Sequence, residues 1–455
     1  MVGNVHIHEL SLMTRAPQGR PALRRALCCA PAPEFHVAPM RDYTDRHLRH
    51  LMRLLSSRAV LWSEMEKAGA ILERSGKGRS RDLEKLLRRG TDGCGKEVLQ
   101  MGGDDPADLA SAVSASLPFG YDEINLNCGC PAIETGGGRY GASLMRDPAK
   151  AAHIIAAIAK AAGSTPVSIK CRIGVAETLE DVVWLGSSQT AVEALYGRLS
   201  DFSSACVAAG ASHVVVHCRE AVMAGLSPLE NRAAPPLWPQ FVQRLAQDMD
   251  CSSNATGGAL LRGVPVTING GVSSLSAANS VLAECPAVAG VQAGRWPLRH
   301  PLDLLAIDHG FGIGLGACEQ ENSGSGGPDV RIGEPGTQAA AMGAIEAYVR
   351  YAVEERRQGK ASQAELVRPV ALLAEELEER RGEAAEEEEE EAAEALLVEL
   401  CDRALPLLVA ADGGQPVGGG WRGLKKALQK ACGRKVIQKH RRNRQEALVA
   451  ETAAA

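Results

Sequence analysis

Between residues 35 and 310, short β-forming runs alternate with helix-patterned stretches eight times, and this alternation restricts the possible folds more than any other feature. The runs are FHVAPM (35–40), AVLWSEM (59–65), EVLQMGG (97–103), EINLNCGC (123–130), PVSIKCRIG (166–174), SHVVVHCRE (212–220), PVTINGG (265–271) and GVQAGR (290–295). Helical stretches such as DRHLRHLMRLL, DPADLASAVSASL, DPAKAAHIIAAIAKAAG and SLSAANSVLAEC lie between them, several opened by a capping Asp or Ser. Eight β-α units suit an α/β TIM (β/α)8 barrel, although a doubly wound sheet also alternates. The strand ends favour the barrel. Met40, Glu64, Gln100, Asn127 with Cys130, Lys170, His217, Asn269 and Arg295 close their strands. A barrel gathers such groups on one face, whereas an open sheet spreads them along a line.

Length and composition place further segments around this unit. At 455 residues the chain exceeds one ordinary core. Residues 1–34 form a basic, Ala/Pro-rich leader, read equally as a transit peptide or as a disordered extension of a cytosolic protein. The location is therefore the cytoplasm or an organelle. The barrel is expected over 35–310, a Gly/Ser/Pro-rich linker over 311–336, and a small helical domain over 337–455. The acidic stretch at about 375–394, with glutamate at every position from 386 to 391, reads as a solvated or disordered insertion. The charged, Gly-rich segment 74–96 reads as an insertion loop.

Net charge is −5, but its distribution matters more than its sum. Between Trp421 and Arg444 there are ten Lys or Arg and no acid, among them Arg422, Lys425, Lys426 and Lys430. That run suits a phosphate backbone, and its alternative is a solvated amphipathic helix. The 13 cysteines are scattered and lack zinc-finger spacing, which argues for a reducing compartment and no metal. No apolar run reaches the roughly 18 residues of a membrane span.

Three groups carry chemistry. In TINGGVSSL and QAGRWP, Gly270, Gly271 and Gly294 allow close backbone approach, Ser273 and Ser274 open a helix, and Arg295 adds a charged fork. Together they form a candidate phosphate site after the last two strands. Lys170 faces the same mouth and needs an anionic partner, which the pyrimidine edge of a reduced flavin supplies. Gln100 and His217 are placed to hydrogen-bond that ring, so phosphate end and ring end together favour FMN. The third group is Cys128 and Cys130. A metal clip lacks further soft ligands, and a disulfide across one residue is strained. Gly129 and Pro131 end the strand, so Cys128 reads as a packing residue. Cys130 either faces the mouth, where a thiol with an ordinary pKa of about 8.5 is a protonated general acid, or is buried and inert.

FHVAPMRDYTDRHLR, LQMGGDDPADLA, YDEINLNCGCPA, GRYGASLM, SIKCRIG, GLSPLENRAAPPL, TINGG and AGRWP resemble, in this order, the tRNA-dihydrouridine synthases, most closely their bacterial-type A branch. WRGLKKAL resembles that branch's helical tRNA-binding domain. The resemblance implies an FMN-binding TIM barrel with a helical domain, and NADPH-dependent reduction of the uridine 5,6 double bond in the tRNA D-loop around positions 20 and 20a. On the family's pattern FMN is held by Ala38, Pro39, Met40, Gln100, Lys170, His217, Asn269, Gly270, Gly271, Gly294 and Arg295. Cys130 matches the proton donor, Asn127 a residue beside the substrate uridine, and Arg232 a tRNA contact. Arg422, Lys425 and Lys426 fall in the tRNA-binding part. The sequence departs from the pattern at Ala132–Thr135, at HCRE, and at Cys128, where valine is common.

Two other readings use the same residues. A small-molecule reductase resembling dihydroorotate dehydrogenase would not need residues 337–455. A non-catalytic tRNA-binding factor on a decayed barrel would purify colourless rather than yellow.

Overall fold

The computed structural model describes residues 32–409 except 77–78, 91–93, 132–139, 252–262, 313–330 and 385–386. The strands are β1 (Glu34–Val37), β2 (Val60–Lys67), β3 (Glu97–Gly102), β4 (Glu123–Cys128), β5 (Val167–Arg172), β6 (Val175–Ala176), β7 (His213–His217), β8 (Ala221–Val222), β9 (Val266–Asn269) and β10 (Gly290–Ala293). Eight of them close a barrel in the order β1-β10-β9-β7-β5-β4-β3-β2, every neighbouring pair parallel. The short pair β6 and β8 stands apart from it.

The helices α1 (Arg46–Leu55), α2 (Ala68–Ser75), α3 (Ser80–Leu87), α4 (Pro106–Ser116), α5 (Pro148–Ala162), α6 (Gln189–Ala208), α7 (Pro239–Cys251), α8 (Leu275–Glu284), α9 (Arg295–Arg299) and α10 (Leu304–Gly310) follow the strands in sequence. Asp45, Asp105, Asp147 and Ser274 cap α1, α4, α5 and α8, each accepting from backbone N–H groups of the first turn. These caps satisfy donors that the helix leaves unpaired, which is why they mark its start so reliably. Segment 74–96, read from sequence as a loop, contains α3, whose Leu87 is fully buried.

Alternation along the strands separates two environments. Val37, Leu61, Leu99, Leu126, Ile169, Val216, Ile268 and Val291 belong to the main apolar core between barrel and helices. The opposite faces line the barrel interior, where Val60, Trp62, Val98 and Val215 form a separate cluster. Around it runs a hydrogen-bonded polar network. Trp62 Nε1 donates to His36 Nδ1 at 3.2 Å, and His213 meets Glu123 Oε1 at 3.1 Å and Thr267 Oγ1 at 2.9 Å. Strand register pairs Arg172, His217, Asn269, Gln292 and His36 in succession, and the first four of them line the C-terminal mouth.

Of three further helices, α11 (Pro335–Arg357) and α12 (Gln363–Glu383) pack against the barrel's outer elements, and α13 (Glu387–Val409) packs on α11 and α12. Arg380 of α12 bonds Asp303 Oδ1 at 2.6 Å and Glu376 Oε1 at 2.7 Å, and Asp303 Oδ2 accepts from Trp296 Nε1 at 2.7 Å. On another side, Arg46 of α1 pairs with Glu355 of α11 at 2.7 Å, and the His50 and Tyr351 rings stack at 3.7 Å. Of the two expectations for the acidic stretch, solvated or disordered, the described Glu387, Glu388, Glu390 and Glu391 are exposed but lie in a helix. Residues 375–383 lie in α12 and Glu387–Glu391 open α13, where carboxylates at a helix N-terminus are favoured by the backbone dipole. Helix α11 also begins at Pro335, inside the stretch read as linker. Among the described residues no helix is long and apolar enough to cross a membrane, and no cluster of His, Cys, Asp or Glu is placed to hold a metal.

Candidate active site

The strand β4 ends at Cys128, and the chain then turns over Gly129 into the mouth of the barrel. Asn127 fixes that turn. Its Oδ1 accepts from Gly129 N at 3.1 Å and Cys130 N at 3.0 Å, while its Nδ2 donates to Gln100 Oε1 at 2.9 Å. Cys130 is held from the other side as well, since its carbonyl accepts from Ala142 N at 2.9 Å. Gly141, at φ +73°, allows this approach, because a Cβ there would lie 2.5 Å from the Cys130 carbonyl oxygen. Cys130 thus lines the mouth. Cys128 points the other way, fully buried in the outer core, where burial pushes its pKa well up.

A cavity of about 720 Å³ fills the mouth. It is lined by Ala38, Pro39, Met40, Gln100, Asn127, Cys130, Lys170, His217, Arg232, Asn269, Gly270, Gly271, Gly294 and Arg295, so these residues singled out from sequence reach one space, whereas Ser273 and Ser274 of the expected phosphate site do not line it and Ser274 caps α8 instead. Arg422, Lys425 and Lys426, with the departure at Ala132–Thr135, lie outside the described residues. Glu64 is the exception among the strand ends. The β2–β3 register slips between Trp62 and Met65, so one extra residue reverses the alternation and Met65 lines the cavity instead. Glu64 turns to the Asp42 backbone N–H.

The recess at β5 and β7 is positively charged, while Asp42 and Glu375 line other parts of the cavity. Lys170 Nζ donates to Asn269 Oδ1 at 3.0 Å, and its recessed position, then the Arg172 guanidinium, pull its pKa down to about 8. Among the described residues Arg172 donates to carbonyl oxygens, those of Gly129, Glu220 and Asn231, and burial, then Arg232, lower its pKa to about 9. His217 is neutral, because burial and then the Arg172 and Lys170 charges hold its pKa well below the ordinary value. Its Nδ1 accepts from Arg219 N at 3.3 Å, so the ring proton sits on Nε2. A recess with this charge set fits an anionic ligand.

The glycines add a cradle. Gly270 and Gly271 have φ +114° and +78°, and a Cβ on Gly271 would meet Leu237 Cδ1 at 2.8 Å. Bare backbone is therefore required at the mouth beside Arg295, as close approach to a phosphate demands. Side-chain-free glycine backbone, a lysine and a neutral imidazole donor are groups that a flavin can use. Residues absent from the sequence reading also line the space. Arg172 and Gln292 lie two residues from Lys170 and Gly294, a spacing that put them on the same strand face; Leu372 and Glu375 come from α12 and carried no local signal.

Residues 36–310 match the dihydrouridine synthase (Dus) family. The chain belongs to that family. A tRNA-dihydrouridine(20/20a) synthase of Xanthomonas campestris pv. campestris is 40% identical over 273 residues, covering 60% of this chain and 70% of that protein. The protein of the same description from Shewanella oneidensis is 34% identical over 274 residues, with the same shares. The enzyme is accordingly a flavin-dependent oxidoreductase that reduces uridine in tRNA to dihydrouridine.

Proposed function

We propose that the enzyme reduces uridines around positions 20 and 20a of the tRNA D-loop with FMN as its flavin and NADPH as reductant. The observation that carries this reading is the meeting of Cys130, Lys170 and His217 in one cavity beside the Gly270–Gly271 and Gly294–Arg295 backbone. Gly270, Gly271, Gly294 and Arg295 hold the phosphate; Ala38, Pro39, Met40 and Asn269 shape the walls; Lys170, His217 and Gln100 face the pyrimidine side. When bound, FMN supplies the hydride that reaches carbon 6 of uracil.

The chain's own residues do the rest. Cys130 gives the proton to carbon 5 as general acid, and Asn127 keeps its backbone in place. Lys170, charged at neutral pH, favours negative charge on the ring edge that it faces. Arg232 at the exposed rim, with Arg422, Lys425 and Lys426, contacts tRNA phosphates. The target base leaves its stack to enter the cavity, which costs least in an already open loop.

Mapping dihydrouridine in tRNA from cells with and without the gene, and assaying the purified yellow protein with NADPH against NADH, tests the reading. Loss of dihydrouridine confined to positions 20 and 20a supports it. Loss elsewhere, or an equal preference for NADH, refutes the position or the reductant.

A further inference from the structure

Two glutamine carboxamides line the cavity, and they differ in one respect. Gln100 is satisfied at both ends, donating to Asn125 Oδ1 at 2.9 Å and accepting from Asn127 Nδ2 at 2.9 Å. Gln292 is fully buried, and neither its Nε2 nor its Oε1 has a hydrogen-bond partner among the described residues. Exchanging the two ends by an amide flip does not help, since both are bare. A buried amide without partners is destabilising, and an apolar side chain of similar shape would be preferred unless something binds there.

The position of Gln292 indicates what binds. It lies on β10 two residues before Gly294, and register places it between His36 of β1 and Asn269 of β9. Asn269 and Gly294 lead directly into the glycine cradle, and Asn269 Nδ2 donates to the Gln292 carbonyl at 2.7 Å, fixing the two strands together. Lys170 and Gln100, which face the ring edge, stand on β5 and β3 across the mouth. A group running from the cradle to that edge passes over Gln292 with the part that joins phosphate to ring. In FMN this part is a polyol chain, whose hydroxyls both donate and accept.

We infer that Gln292 is a cofactor-binding residue that exchanges hydrogen bonds with the ribityl hydroxyls of FMN. This rests on the FMN reading above. It gives an opposed pair of effects for Gln292→Met and Gln292→Leu. Each removes the bare amide, so the flavin-free chain should melt at a higher temperature than wild type. Each also removes the hydrogen bonds to the ligand, so the FMN dissociation constant should rise about three- to tenfold, the worth of one or two neutral hydrogen bonds.

Full-length protein is stripped of flavin and titrated with FMN by fluorescence quenching, and its melting is followed with and without FMN. A weaker FMN affinity together with a more stable flavin-free chain supports the inference. Unchanged FMN affinity in both variants overturns it, whatever the stability, and lowered flavin-free stability with unchanged affinity assigns the amide to a buried water instead. Lumiflavin, which has no ribityl chain, should bind wild type and variants alike; equal weakening overturns the assignment to the chain. Failure of the wild-type protein to bind FMN would instead refute the cofactor reading itself.

Discussion

The Asn127 carboxamide holds the Cys130 backbone amide at 3.0 Å, so the residue carrying the candidate acid is positioned by a side chain that is itself anchored to Gln100. Asn127→Ala should therefore lower dihydrouridine formation by about 10²-fold, the usual consequence of misplacing a catalytic group by an ångström. FMN content should stay near wild type. The double variant with Cys130→Ala should be no slower than Cys130→Ala alone, because both changes act on one group. Single-turnover reduction of tRNA measures all three, and additive losses would sink the positioning role.

The proposed function gives Cys130 the chemistry and leaves Cys128 to packing. Cys130→Ala should keep the yellow flavin and lose about 10²- to 10⁴-fold in uridine reduction, the range of general acid catalysis. Cys128→Ala removes a fully buried atom from the outer core and should cost about 1 kcal/mol of stability with activity retained. The reverse outcome would exchange their roles.

The Arg380 guanidinium joins α12 to the barrel through Asp303 and pairs with Glu376 of its own helix, at a site where all three side chains are almost wholly buried. Arg380→Met leaves two buried carboxylates unpaired and should destabilise the protein by about 3–5 kcal/mol. Because Leu372 and Glu375 of the same helix line the cavity, tRNA reduction should fall along with the melting temperature. Intact activity in a destabilised variant would show that α12 does not shape the working site.

The basic run 421–444 carries the electrostatic part of tRNA binding on the present reading. Changing Lys425, Lys426 and Lys430 to Gln should weaken binding and reduce the salt slope by about one unit for each phosphate that is no longer neutralised. Filter binding across a salt series measures it; an unchanged slope removes this run from the interface.

What the sequence disclosed and what it concealed follow from range. Caps at Asp45, Asp105, Asp147 and Ser274 are local, and so are the alternating strands, so barrel and helices could be read directly. Convergence of Lys170, His217 and Asn269 followed from topology, because parallel strands bring their C-terminal ends together. Glu64 was misplaced because an extra residue in β2 shows itself only against β3. Arg172 stands two positions after Lys170 and its signal was present in the alternation, whereas Leu372 and Glu375 arrive from over 70 residues beyond the last strand by packing alone. The glutamate run looked solvated by charge, yet the dipole at the start of α13 accommodates it in a helix.

Lys170 makes the cofactor site pH-dependent with a definite sign. Its pKa in the folded chain is lowered from 10.5 to about 8, so it is charged below about 8 and neutral above it. The charged form holds the anionic ring edge of the reduced flavin, so affinity for reduced FMN should be highest below about pH 8 and should fall as pH rises through that value. The stability of the flavin-free chain moves the other way. Between about pH 8 and 10.5 the unfolded chain binds the proton that the folded lysine has lost, so stability contributed by this group rises with pH across that window. Lys170→Met removes both dependences and should weaken FMN binding at pH 7 while flattening its profile. Anaerobic titration with reduced FMN from pH 6 to pH 10 measures this, and a wild-type profile parallel to that of the variant would show that Lys170 does not meet the anion.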